Sequence, residues 1–338
     1  MEREIVSRAV SETRRARGRR WWLMGAKGVV SALLLGLLFR RADLGRMLGA
    51  LAGARVEFVL LALALYIGGQ LLSALRWKVL AAPLGFSIAY GRFVGLYFLG
   101  MFFNFFLPTV IGGDAVKAYY LARETRDAVR ALASVFMDRN TGLGALLLVA
   151  LVAAALGRLE FADRPLVIPL LGGTLLYLLL NFALFADAPY RGLKRLFSAA
   201  RARSLVTLAD RAHEAFDAYR SAPSALGKAV GLSLLFHLML IGLNYANARA
   251  LGLTLGVLPF CVFIPIISLL SMLPITMYGL GVREYAFVLF FSSLGVTREA
   301  SLLLALLWFL VTVLASLPGA VIYITYGRHS LAESNSRS

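Results

Sequence analysis

Long apolar runs alternate with short, cation-rich segments along this chain. Residues 21–39, 56–79, 131–156, 165–185, 229–248 and 300–326 are apolar runs near the ~20 residues that a helix needs to cross a bilayer. Two further apolar stretches are broken. Residues 92–107 meet Pro108 and then Gly112-Gly113, and a polar helical stretch follows over 114–130. Residues 257–274 end at Pro274, Gly279 and Gly281 follow, and the apolar pattern resumes over 283–294. The pattern predicts an all-α polytopic membrane protein with about six full spans and two interrupted segments. Residues 186–228 form the one long hydrophilic stretch. In it Leu193, Leu196, Phe197, Leu205, Leu208 and Phe216 recur at roughly helical spacing among basic residues. This stretch reads either as a basic amphipathic helix on the membrane surface or as a solvated connector.

The two interruptions match each other. Leu107-Pro108, Gly113, Val116-Lys117 and Tyr119 align without a gap on Leu273-Pro274, Gly279, Val282-Arg283 and Tyr285. Each copy sets a Pro and Gly break inside an apolar stretch and follows it with a cation. Broken apolar segments at matching places in two halves point to a transporter's substrate site. A single such break reads more simply as a helix kink. Duplication in register, with a cation after each, favours the functional reading.

The arginines at 14, 15, 17, 19 and 20 place the N-terminus inside. If 92–117 is a re-entrant hairpin, Lys117, Arg123, Arg126, Arg130 and the basic stretch 186–228 also lie inside. A unit over about 56–156 and a second over about 228–326 then run in opposite directions, as an inverted-topology repeat. Arg40, Arg41, Arg46 and Arg55 fall outside in this assignment and count against it. The alternative is that every apolar segment spans. The division expected is a basic cytoplasmic N-terminus (1–20), a single transmembrane domain (21–327) and a polar tail (328–338), with both termini cytoplasmic in a cell (inner) membrane. The run after the N-terminal arginines lacks a small-residue cleavage site and reads as a retained anchor.

Composition agrees with a membrane protein. The 338 residues are 60% hydrophobic, and the mean hydropathy is +0.77. The net charge of +17 lies mostly between the apolar runs, where topology and anionic lipid contact explain it. No aromatic-interleaved basic patch is present, so nucleic acid is not an expected partner. The single cysteine, Cys261, and the scattered His213, His237 and His329 offer no metal-ligand spacing, and no metal or cofactor is expected. No catalytic constellation or phosphate-binding loop is found either, so an enzyme is not expected.

The chemistry expected at the breaks follows from unpaired backbone. A hairpin that stops partway exposes N–H and C=O groups, tolerated only in protein or beside a watery cavity. Gly112, Gly113, Gly279 and Gly281 allow the turns, and Pro108 and Pro274 end the incoming helices. The outgoing helices present positive N-termini, which attract phosphate or carboxylate, and Lys117 and Arg283 follow within about a turn. The candidate substrate-binding residues are Asp114, Lys117, Arg139, Arg283 and Glu284. Lys117 and Arg283 would hold phosphate, and Asp114 and Glu284 would pair them or sense protons. Charges within apolar segments need partners or water, so an Arg139–Glu284 or an Asp138–Arg283 pair across the repeat is expected, as structure or as substrate contact. Asn104, Asn140, Asn181 and Asn244 read as interhelical hydrogen-bonding residues. The aromatic set Phe98, Phe102, Phe103, Phe105 and Phe106 reads as packing or lipid contact.

At these residues the chain resembles the flippase-like family, also described as the lysylphosphatidylglycerol synthase transmembrane region. The features are Arg76-Trp77 with Leu80 and Gly85, Pro108 to Lys117 with Gly112-Gly113-Asp114, Asp138-Arg139 before Gly142-Leu143, and Pro274 with Gly279-Leu280-Gly281-Val282-Arg283-Glu284. This chain has Tyr278-Gly279 where the family typically carries Gly-Gly. The resemblance covers about residues 20–327 and implies an integral membrane protein that moves lipids between leaflets. In two-domain relatives a soluble domain attaches lysine to phosphatidylglycerol. This chain is expected to lack it, so synthase activity does not carry over. The expected function is a lipid translocase for an anionic or aminoacylated phospholipid or a polyprenyl-phosphate-linked lipid. The alternative is a non-transporting subunit that scaffolds a lipid-modifying enzyme or glycosyltransferase. The expected partners are membrane lipids with anionic head groups and, for the second reading, such an enzyme.

Overall fold

In the computed structural model the described residues are 25, 27–40, 42–106, 112–156, 164–199, 202–273 and 275–335. They form helices and the short turns between them, without a strand. In chain order the helices are α1 (27–40), α2 (Leu44–Ala52), α3 (Val56–Ala81), α4 (Tyr90–Phe106), α5 (Gly112–Thr125), α6 (Ala128–Leu156) and α7 (Arg164–Phe185). There follow α8 (Asp187–Ala199), α9 (Arg203–Arg220), α10 (Pro223–Ala250), α11 (Leu258–Ser271), α12 (Val282–Ser292) and α13 (Arg298–Asn335). Among the described residues five helices are long and apolar enough to cross a membrane: α3, α6, α7, α10 and α13. They match five of the six expected spans. Of the first expected span, the described part is α1.

The interrupted segments fold back on themselves. Arg92 near the start of α4 pairs with Glu124 near the end of α5 at 2.6 Å. In the second segment the Phe260 ring of α11 packs, tilted, against that of Phe291 of α12 at 5.1 Å, and Ser271 at the far end of α11 lies against Gly279. With 17, 14, 14 and 11 residues, α4, α5, α11 and α12 reach only about 16–26 Å at 1.5 Å per residue, short of the ~30 Å hydrocarbon core.

Two ends of the bundle are defined by contacts. At one, Tyr219 of α9 donates to the Leu80 carbonyl at 2.8 Å, and Arg211 pairs with Asp127 at 2.9 Å. At the other, the Arg55 N–H donates to the Ala250 carbonyl at 2.9 Å, so α3 and α10 run antiparallel along their length. Their close approach uses small residues: a Cβ on Gly69 would lie 3.1 Å from the Phe236 ring. The α4–α5 hairpin opens toward the first end and the α11–α12 hairpin toward the second.

The packing pairs repeat. α3 packs on α4, as α10 packs on α11; α4 packs on α5 and α13, as α11 packs on α12 and α6. α5 packs on α6, as α12 packs on α13, and α6 meets α10 as α13 meets α3. Exchanging α3–α6 for α10–α13 leaves this set of contacts unchanged.

The hydrophilic stretch 186–228 is largely helical. It forms α8 and α9, and α9 buries Ala215 and Tyr219 against Leu80, Leu84, Met137 and Ala229. Leu193, Leu196, Leu205 and Leu208 stay exposed. α7 presents Leu171, Leu175, Leu178, Leu179 and Phe182 outward, as a lipid-facing helix does. It is held to α6 by Asn140 and Asn181, whose amides exchange hydrogen bonds at 2.6 and 3.3 Å. Asn244, by contrast, donates within its own helix, to the Leu240 carbonyl.

Candidate functional site

The charged residues of α3, α5 and α6 meet in one buried network. Asp138 of α6 accepts from Arg76 of α3 at 2.8 Å and from Lys117 of α5 at 3.3 Å. Lys117 also pairs with Asp114, one turn earlier on its own helix, at 2.9 Å. Arg139 closes the network onto Asp114. Arg76 spends a further donor on Ser233 of α10, at 2.9 Å. Burying these charges is tolerated because each has an opposite partner in hydrogen-bonding geometry. Aromatic faces add to this: the Lys117 ammonium lies 4.2 Å from the Tyr97 ring centroid and 5.1 Å from that of Trp77.

Local structure sets these side chains. Gly113 lies so close to α4 that a Cβ there would sit 2.0 Å from the Gly100 carbonyl oxygen. A side chain at either glycine would push α5, and with it Asp114 and Lys117, away from α6. The Gly113 N–H at the start of α5 donates to Asn104 at 2.7 Å. In the second hairpin, Gly281 N–H donates to the Glu284 carboxylate at 2.6 Å. The protein itself therefore claims backbone donors at both helix starts, where the sequence pointed to anion binding. Pro108 and Pro274 lie outside the described residues.

Arg283 is neutralised by its neighbour. Its guanidinium donates to Glu284 at 2.6 and 3.1 Å and lies 5.3 Å from the Phe309 ring centroid and 5.7 Å from that of Trp308. The expected Arg139–Glu284 and Asp138–Arg283 pairs are not formed. Arg139 takes Asp114, and Asp138 is held by Arg76 and Lys117, because α5 brings its own carboxylate and cation to α6. Tyr278 replaces the first glycine of the second tip and adopts a left-handed backbone, φ 52°. Its ring packs at 4.7 Å on Phe105 of α4, which ties the two hairpins together and offsets the backbone cost.

The network and Arg283 face one cavity of about 260 Å³. Asp114, Lys117, Arg139 and Arg283 line it, together with Asp138, expected as a partner of Arg283, and Arg76, which the sequence offered only through the family resemblance. Glu284 does not line it but lies fully buried behind Arg283. Four cations against three carboxylates, Glu284 included, leave one positive charge in excess. The rest of the wall is largely apolar and includes Leu143, Leu146, Phe236, Leu240 and Met272. Arg139 is the member that reaches outward: its side chain is 42% exposed, whereas those of Arg76 and Lys117 are buried. The chemistry available is the capture of an anion beside an apolar body. A separate group, Asp187, His213 and Asp217, gathers between α8 and α9. Arg220 already bridges its two carboxylates at 3.0 and 3.1 Å, and the His213 ring stacks on Tyr190.

Antiparallel apolar helices around a charged, half-apolar cavity define a multi-span helical membrane protein. A family model described as the lysylphosphatidylglycerol synthase TM region matches residues 24–319, and the chain belongs to that family. It is also similar to the UPF0104 membrane protein MJ1595 of Methanocaldococcus jannaschii, with 29% identity over 96 residues. That match spans 28% of this chain and 29% of the relative.

Proposed function

We propose that this protein moves an anionic or aminoacylated phospholipid, or a polyprenyl-phosphate-linked lipid, between leaflets. The observation that carries this reading is the cavity, where a cationic network meets an apolar wall, as a charged head group and the start of its chains would require. The short hairpins support it: α4–α5 and α11–α12 would enter the bilayer from opposite faces as re-entrant elements. The exchange-symmetric packing of α3–α6 with α10–α13 supports an inverted-topology repeat, with the α8–α9 end cytoplasmic by its basic residues. Membership of a family named for a lipid synthase supports a lipid substrate. Arg139 would take the phosphate first, displacing Asp114, while Lys117 and Arg283 hold the charge within. A second reading, a membrane subunit that scaffolds a lipid-modifying enzyme or glycosyltransferase, draws support from the exposed basic and apolar surface of α8 and α9.

Reconstitution in liposomes tests the first reading. Bilayer crossing of labelled phosphatidylglycerol, its lysyl form and a polyprenyl phosphate is followed for the wild type and for Lys117→Ala, Arg139→Gln and Arg283→Ala. Crossing of one lipid, lost in Arg139→Gln at unchanged thermal stability, is the expected result. Well-folded wild-type protein that moves none of the three directs attention to the scaffold.

A further inference from the structure

α8 and α9 form an antiparallel hairpin that is rooted in apolar spans at both ends. Only Ala186 separates α7 from α8, and only Ser221 and Ala222 separate α9 from α10. Near its base the hairpin uses its acids. Arg220 holds Asp187 and Asp217, and Lys194 holds Asp210 at 2.9 Å. The distal half is different. Residues 191–203 carry five cations and no carboxylate. Arg191, Arg195 and Arg203 are exposed and pair with no carboxylate among the described residues. The Ala202 N–H donates to the Phe197 carbonyl at 2.9 Å, so the chain turns back at once and the end of α8 lies beside the start of α9. There Leu193, Leu196, Leu205 and Leu208 are 44–64% exposed. Single exposed leucines need no explanation, but four at one end of a hairpin mark a contact surface.

The apolar stripe of α9 has a direction. Tyr219 and Ala215 lay the helix on Leu80, Leu84 and Met137 of the bundle. From them, helical steps of three and four lead to Ala212, Leu208 and Leu205 on the same stripe. The stripe that packs on the bundle thus runs on as exposed leucine, and what adjoins a membrane bundle beyond its own helices is lipid. α7, which leads into α8, already faces outward with Leu178, Leu179 and Phe182. Leucines on one side and unpaired arginines on the other suit the interface of an anionic bilayer, where arginine stems lie along apolar surface and their guanidinium groups reach phosphate. Both ends of the hairpin are tethered at the bilayer, so it meets lipid at high effective concentration, an advantage that a soluble partner lacks. We infer that the distal half of the α8–α9 hairpin docks on the surface of an anionic leaflet. Leu193, Leu196, Leu205 and Leu208 enter the interface, and Arg191, Arg195 and Arg203 contact lipid phosphates. This docking is independent of what the cavity carries.

The test uses the full chain with its single cysteine removed, Cys261→Ala, and a fluorophore attached at Leu196→Cys or Leu208→Cys. The protein is reconstituted in vesicles of phosphatidylcholine alone or mixed with phosphatidylserine, and spin-labelled lipid serves as quencher. Both probes are expected to be quenched in the phosphatidylserine vesicles, whereas a probe at Thr207→Cys, exposed but off the leucine stripe, is not. Arg191→Gln, Arg195→Gln and Arg203→Gln each lower the docked-to-free ratio about fivefold, the worth of one cation near an anionic surface. The triple variant, or high salt, releases the hairpin. All these positions are exposed, so the fold is left intact. Quenching that survives both the triple variant and the omission of phosphatidylserine overturns the anionic assignment. Probes at Leu196→Cys and Leu208→Cys that stay open to acrylamide in every vesicle overturn the docking itself and leave the leucine face to a partner protein.

Discussion

Lys117 and Arg283 occupy equivalent places after the two interruptions and face one cavity, yet they are neutralised differently. Lys117 shares Asp114 and Asp138 with Arg139 and Arg76, so its partners come from α3, α5 and α6. Arg283 is held by the next residue, Glu284, which also holds the start of α12 through Gly281. The first arrangement is a network in which two carboxylates are shared among three cations. The second is self-contained and keeps its charge balance whatever enters the cavity. Duplicated sequence thus carries two arrangements: a first half whose cation shares carboxylates with its neighbours, and a second whose cation has a carboxylate of its own.

The largest effect is expected where the network converges. Asp138→Ala strands Arg76 and leaves Lys117 with one carboxylate, a loss of ~3–5 kcal/mol typical of a broken buried pair. Glu284→Ala strands Arg283 alone and falls at the lower end of the same range, about 3 kcal/mol. Unfolding of the two variants in mixed micelles measures the difference. Equal losses would mean that the two cations are held alike.

The tip glycines separate the halves by a smaller margin. Gly113→Ala drives a methyl into the Gly100 carbonyl and should cost about 1–3 kcal/mol as overpacking, with displacement of Asp114 and Lys117. Gly279→Ala meets a left-handed backbone, φ 71°, and the Ser271 carbonyl oxygen at 2.9 Å, for about 1–2 kcal/mol. Lipid binding reports what the stabilities do not. It should fall in Gly113→Ala and change little in Gly279→Ala, because only the first moves network members.

The smallest effect lies outside the bundle, where α8 and α9 are joined by Asp210, Tyr190 and Lys194. Hydrogen bonds from the Tyr190 hydroxyl and the Lys194 ammonium hold the Asp210 carboxyl below the usual carboxylate range. The same contacts, with Asp210 foremost, push Lys194 above its ordinary value. The Asp210 contribution is present above the ordinary carboxylate pKa and is lost as pH falls through the lowered one. The Lys194 contribution is present below the ordinary lysine pKa and is lost as pH rises through the raised one. A spin-label distance between α8 and α9 should therefore hold through neutral pH and broaden at both extremes.

By itself the sequence determined the helical class, the long spans, the place of both interruptions and the cations that follow them. Each is a local matter: apolar length sets a span, and Pro and Gly break a helix wherever it packs. Asp138 and Arg76 were legible as charges in apolar surroundings, which require partners. Their identity was not legible, because a salt bridge depends on which helices become neighbours. Only the tertiary structure paired Arg139 with Asp114 instead of Glu284, placed Glu284 behind Arg283, and packed α9 onto Leu80 and Met137. It also set His237 against Gly142, a contact between helices far apart in the chain that no spacing announces. Pattern along a chain reports what each segment must bury or expose, whereas the choice of partner is made by packing among segments.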